Sequence, residues 1–173
     1  MEGVGRYQVR LLPHQAAWDE EFLRVKKELT VCWGEQVLDI QHVGSTAIPA
    51  ICAKPILDVA VKLRSIRALD VKALTDRGYE YSGVRAGNEK YHLFVLRGEG
   101  QISLRHIHCY DQTEKEFALL VGFRDYLNAH PEEAAAYQAL KTQLAARHAE
   151  ERYAYTKGKE AFIRSVYEKM GQM

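Results

Sequence analysis

The sequence predicts an α+β chain: a mixed β-sheet with helices packed on it, followed by a helical C-terminal part. Two observations carry this. From residue 37 to residue 110, apolar residues come in short β-branched or alternating runs, separated by turns rich in Gly, Asn and Pro. That is how strands punctuate a sequence. Beyond Asp111 the period changes, and large apolar residues return every three or four positions, as on a helix face. At 173 residues the chain has the size of one domain. We expect a single domain over 1–173, with an α+β sheet half over 1–112 and a helical half over 113–173. The helical half carries too few large apolar residues for a separate core.

Each element has its own signal. Tyr7 to Leu12 suits a short strand, broken by Pro13-His14. Trp18, Phe22, Val25 and Leu29 define a helix from Ala16 to Leu29. Val37 to Val43 and Ile56 to Lys62 read as strands, and Ile66 to Arg77 as a helix stopped by Gly78. Three extended runs follow, Tyr79 to Val84, Lys90 to Leu96 and Gln101 to Tyr110. Turn chemistry at Gly87-Asn88 and Arg97 to Gly100 separates them. Thr113 suits the cap of a helix with Phe117, Leu120, Phe123 and Leu127 on one side. It should end near His130, because Pro131 disfavours helical geometry in the residue before it. Pro131, Glu132 and Glu133 open the next helix, to about His148. A last helix spans Lys159 to Met170, with Phe162, Ile163, Val166 and Tyr167 in register.

Composition excludes several classes. Hydrophobic content of 47% and charged content of 27% are those of a soluble globular protein. A net charge of +1 does not provide an extended nucleic-acid surface. Three cysteines, odd in number and without CxxC spacing, point to a reducing cytoplasm. Met1 to Pro13 has no apolar signal core, and no run has the length of a membrane span, so no membrane association is expected.

Three features carry chemistry. Gly44-Ser45 ends a strand; glycine permits close approach of a phosphate, and the Ser45 and Thr46 hydroxyls can bind its oxygens. The same pair also suits a plain strand end with a cap at Ser45 or Thr46. Asp58 is the second feature, a carboxylate in the apolar strand Ile56 to Lys62. It shares a face with Ile56 and Ala60, and needs a metal, solvent, or a cation such as Lys54. His106 and His108 are the third: they alternate on one strand and so project from one face. They suit a shared ion or anion, which His42 and His92 could join, or local hydrogen bonds. In the helical half, Arg124 and Lys159 sit beside the apolar stripes, while Tyr137 and Lys141 pair at i,i+4. For the latter pair, a lysine stem lying over a ring is the plainer reading.

Several strings together resemble the GrpB family. They are His42-Val43-Gly44-Ser45-Thr46-Ala47-Ile48-Pro49, Ala53-Lys54-Pro55-Ile56-Leu57-Asp58-Val59, His106-Ile107-His108, Phe123-Arg124-Asp125-Tyr126-Leu127 and His130-Pro131. Tyr137, Leu140-Lys141, Tyr155, Lys159 and Phe162-Ile163 fit the same pattern, as do Val9 to Pro13, Trp18 and Phe22. Ala50 departs from it, standing where the family usually has glycine. The resemblance implies a nucleotidyltransferase-like fold and metal-dependent transfer of a nucleoside monophosphate from an NTP to a small acceptor. It equally admits a non-catalytic module for a nucleotide or phosphorylated small molecule, including a CoA-related one, since such domains occur fused to dephospho-CoA kinase. Carried over, Gly44, Ser45 and Thr46 would contact phosphate. Lys54, Arg124, Lys141 and Lys159 would line the same cleft. Asp58 would be catalytic and, with His106 and His108, would bind Mg²⁺ or another divalent cation. Ala60 stands where the superfamily's second acid would be.

Overall fold

The computed structural model describes residues 3–5, 8–85 and 87–171. Among these residues five strands form one mixed sheet in the order β1-β2-β5-β4-β3. They are β1 (Val37–Val43), β2 (Leu57–Leu63), β3 (Tyr79–Arg85), β4 (Asn88–Arg97) and β5 (Ser103–Asp111). All neighbours are antiparallel except β2 and β5. Six α-helices among the described residues accompany them: α1 (Ala16–Trp33), α2 (Val71–Thr75), α3 (Glu116–Ala129), α4 (Pro131–Arg147), α5 (Arg152–Lys157) and α6 (Glu160–Lys169).

Alternation along β2 sets the two faces. Leu57, Val59, Val61 and Leu63 join Ile107 and Cys109 of β5 against Val25, Leu29 and Trp33 of α1. This is the dry core. On the other face Ala60, Val43 and Tyr110 pack under Phe117 of α3. A third cluster joins Phe123 and Leu127 of α3, Tyr137 of α4 and Val166 of α6 to Ile48 and Ile51 of the loop after β1. That loop therefore touches the helical half directly.

The elements differ from the sequence expectation where side chains compete for backbone groups. The expected helix from Ile66 to Arg77 is a 3-10 turn at Ile66–Ala68 and then a short α2. Asp70 interrupts it by accepting a hydrogen bond from the Ala73 N–H at 3.2 Å, as an N-cap does. Thr113 does not cap α3. Its N–H and hydroxyl bond to Asp111 Oδ1 at 3.0 and 2.8 Å, so Thr113 belongs to a turn and α3 begins at Glu116. Helix α5 was not foreseen; of its residues only Tyr155 is fully buried, so no period announces it. In the N-terminal segment Tyr7 lies outside the described residues, and the rest forms only an isolated bridge between Leu12 and Ala53. Ala50 is exposed in a turn.

Candidate functional site

The parallel pairing of β2 and β5 assembles the centre of the site. Asp58 lies opposite His106, and Ala60 opposite His108. The three polar side chains therefore stand together on the helical face. His106 Nδ1 and His108 Nε2 each lie 3.1 Å from Asp58 Oδ1. One ligand atom from each of the three falls within 4.8 Å of the others, a grouping able to hold one metal ion. Burial alone would raise the Asp58 carboxyl, but hydrogen bonds from His106 and His108 outweigh it and hold it well below the usual carboxylate range. His108 is fixed on its far side, where Nδ1 meets the Tyr91 hydroxyl at 2.7 Å.

Gly44 is required beside this centre. Its φ is +71°, and a Cβ there would lie 2.7 Å from Asp58 Oδ2. The missing side chain thus makes room for the carboxylate. Ser45 to Ala47 then form a 3-10 turn in which Thr46 is buried, its hydroxyl 2.9 Å from His42 Nε2.

Asp58 and His106 border a cleft of about 280 Å³, lined also by Gly44, Ser45 and Thr46. Lys54, Arg152 and Lys159 bring positive charge to it, and Asp58 is its only carboxylate among the described lining residues. The Lys54 and Lys159 ammonium groups lie 5.3 and 4.7 Å from the centre of the Tyr155 ring. Burial, then Arg152 and Lys159, pushes Lys54 down to about 7. Burial pushes Lys159 down to about 8, with Asp58 opposing the shift and Arg152 adding to it. Two lysines are thus crowded into a partly dry, positive site. That is a poor arrangement for an empty cavity and a good one for an anion.

Other expected members lie elsewhere. Arg124 does not line the cleft: its guanidinium donates to the His42 carbonyl at 2.7 Å, Gln41 Oε1 at 3.0 Å and Asp125 Oδ1 at 2.8 Å. It ties α3 to β1. Lys141 sits behind the cleft wall, fully buried, with its ammonium donating to the Cys52 carbonyl and 5.1 Å from the Tyr137 ring centre. Burial and Lys159 push it down to about 7. His42 stacks on Phe22 at 5.1 Å on the α1 side, and burial lowers it to about 4, so it is neutral. His92 meets the Tyr81 hydroxyl at 2.6 Å and belongs to the α1 side as well, opposite Cys109. Neither joins the Asp58 cluster. Arg152 and Tyr91 were not singled out for the site from sequence, and Tyr137, which lines the cleft, was read there only as a ring under the Lys141 stem. Arg152 falls in the unforeseen α5, and Tyr91 gains its importance only from strand pairing.

This mixed sheet, with a Gly-Ser turn after one strand and a carboxylate on the next, has a nucleotidyltransferase-like fold. Solved structures agree: Cid1, captured in one structure with its short product ApU, matches with a TM-score of 0.52 at 12% identity, covering 78% of this chain and 43% of that one. The chain belongs to the GrpB protein family, whose sequence model matches residues 8–169. The crystal structure of the conserved protein GrpB from Enterococcus faecalis matches with a TM-score of 0.83 at 31% identity, covering 92% of this chain and 96% of that one. The glutamate-rich protein GrpB of Alkalihalophilus pseudofirmus is 32% identical, with 98% and 100% covered. The UPF0157 protein YqkA of Bacillus subtilis is 34% identical over 93% of this chain, which spans 47% of that relative's length. A dephospho-CoA kinase of Mycolicibacterium paratuberculosis is 28% identical over 95% of this chain and 46% of its own. No helix among the described residues is long and apolar enough to cross a membrane.

Proposed function

We propose that this chain binds the triphosphate of a nucleotide in the Asp58 cleft through a divalent cation, and transfers the nucleoside monophosphate to a small acceptor. One observation carries the reading. Asp58, His106 and His108 form a grouping able to hold one ion, and Asp58 and His106 border a cleft whose remaining charges, Lys54, Arg152 and Lys159, are positive. The donor set fits one divalent cation, and Asp58, His106 and His108 would hold it. When bound, the cation polarises a phosphoryl oxygen and neutralises charge that develops there. Lys54, Arg152 and Lys159 would bind the outer phosphates and stabilise the departing pyrophosphate. Ser45 and the backbone after Gly44 would orient the phosphate chain. The acceptor hydroxyl oxygen forms the new bond to the α-phosphorus, the bond to pyrophosphate breaks, and the hydroxyl proton passes to water. A nucleotide as partner and three free cysteines, Cys32, Cys52 and Cys109, favour the cytoplasm as its place.

Calorimetric titration with ATP, GTP, CTP and UTP in the presence of Mg²⁺ or Mn²⁺ tests this. Micromolar binding of at least one, lost on adding EDTA, is expected. No binding of any at millimolar concentration overturns it. Ala60 favours a second reading, binding without transfer. The position two residues beyond Asp58 thus offers no second carboxylate, and it is packed under Phe117. Nucleotide binding that survives EDTA, with no pyrophosphate released, selects that reading.

A further inference from the structure

The composition of the Asp58 cluster discriminates among divalent ions. Mg²⁺ takes oxygen ligands, dehydrates reluctantly, and is usually held by one or two carboxylates together with substrate phosphates. Imidazole suits the later first-row metals, whose affinity for nitrogen and oxygen sites rises along the series towards Cu²⁺. Here two of three donors are imidazoles. The face that would carry another acid is closed by Val43, Ala60, Tyr110 and Phe117.

Two of the three donor–donor distances already suit coordination. Donors bound about 2.1 Å from one ion, at right or tetrahedral angles, lie about 3.0–3.4 Å from each other. Asp58 Oδ1 is 3.1 Å from His106 Nδ1 and 3.1 Å from His108 Nε2. Metal-binding histidines nearly always have their other ring nitrogen hydrogen-bonded. His108 has such a partner in Tyr91, whose hydroxyl is 2.7 Å from Nδ1. Tyr91 is itself held by stacking on Tyr110, ring centres 4.6 Å apart. A phenol both donates and accepts. It can donate to Nδ1 while His108 Nε2–H points at Asp58. It can equally accept from Nδ1–H once the Nε2 lone pair is turned to an ion.

The geometry points to a site for a single late first-row ion of the Co²⁺, Ni²⁺ or Zn²⁺ class, rather than Mg²⁺, held by Asp58, His106 and His108, with Tyr91 as the positioning residue for His108. This rests on the metal-binding half of the proposed function, but it concerns the ion in the absence of nucleotide.

Chelator-treated full-length protein is titrated separately with Co²⁺, Zn²⁺ and Mg²⁺, by calorimetry and, for Co²⁺, by its visible ligand-field bands. One Co²⁺ per chain is expected, bound at least ~100-fold more tightly than Mg²⁺, as imidazole ligation implies. In wild-type protein, sub-stoichiometric Co²⁺ should perturb the imidazole NMR signals of His106 and His108 before those of His14, His92, His130 and His148. Tyr91→Phe, with its circular dichroism unchanged, should weaken Co²⁺ binding about 10–100-fold. Mg²⁺ binding as tight as Co²⁺, or first perturbation of other histidines, overturns the ion assignment. Unchanged Co²⁺ affinity in Tyr91→Phe overturns the positioning role. Tight Co²⁺ binding with no nucleotide binding supports the ion assignment and overturns the proposed function. Nucleotide binding with Mg²⁺ and no Co²⁺ preference does the reverse.

Discussion

Two neighbouring residues of β5 anchor two opposite kinds of charged site. Arg105 faces α1, where its guanidinium meets Glu21, Glu28 at 3.4 Å and the Tyr79 hydroxyl at 2.9 Å. Glu21 also pairs with Arg24 at 2.6 Å. The side chains of this network satisfy one another. His106, one residue on, faces the cleft, where Asp58 is the only carboxylate among the described lining residues beside Lys54, Arg152 and Lys159. The first arrangement is complete as it stands and serves the fold. In the second, burial and the neighbouring cations lower Lys54 and Lys159, and Asp58 offsets that only in part. Charge balance, more than charge density, separates a structural network from a binding site.

Substitutions can break that contrast. Asp58→Asn keeps the shape but removes the anionic ligand. Because losing only an outer partner costs about 10–100-fold, metal-dependent nucleotide binding should fall by more than ~100-fold in calorimetry, while the protein stays folded. Arg105→Met should do the opposite. It leaves Glu21 and Glu28 without their shared cation and should cost about 3 kcal/mol in denaturant unfolding, the low end for a broken buried pair because Arg24 still reaches Glu21. Nucleotide affinity of the folded fraction should be unchanged. If Arg105→Met instead weakened nucleotide binding as much as Asp58→Asn, the separation of the two sites would be wrong.

Lys159→Met removes one cation from the cleft and should weaken nucleotide binding by about 1.5–3 kcal/mol, the value of a charged hydrogen bond. Gly44→Ala should cost about 1–3 kcal/mol of stability from its positive φ, and also weaken binding because the new Cβ displaces Asp58. The smallest effect is with pH. Lys54 and Lys159 sit at about 7 and about 8, so both gain charge as pH falls from about 9 to about 6. Nucleotide affinity should rise over that window and then level. Ligand-free stability should move the other way. The unfolded lysines still hold protons up to about 10.4, so the unfolded state binds more protons between about pH 7 and pH 10, and stability rises with pH there. Titrations at pH 7 and pH 9, on wild type and Lys159→Met, check both signs; the variant should show the flatter response.

The strands were legible because their apolar residues alternate or cluster between turn residues; β1 spans the predicted residues and β2 is shifted by one. Pro131 marked the boundary between α3 and α4 for the same local reason, its effect on the preceding residue. What failed was decided by competition or by distance. Asp70 could be read as a helix residue until its carboxylate is seen capping Ala73. Arg124 sits beside an apolar stripe, but which groove it enters depends on how α3 crosses β1. Likewise Lys141 points to the Cys52 carbonyl, 89 positions away, a partner no local pattern can supply. The site was half legible. Asp58, His106 and His108 each stood out by type, but their meeting depends on a parallel crossover between β2 and β5.

That crossover has an evolutionary consequence. Arg105 and His106 point to opposite faces because strand side chains alternate. A slip of β5 by one residue against β2 would carry Arg105 into the cleft and His106 and His108 into the dry core. Both sites would be lost at once, so no mispaired form can keep half of its chemistry. Selection acting on either site guards the strand alignment of the other, and the two are inherited as one trait.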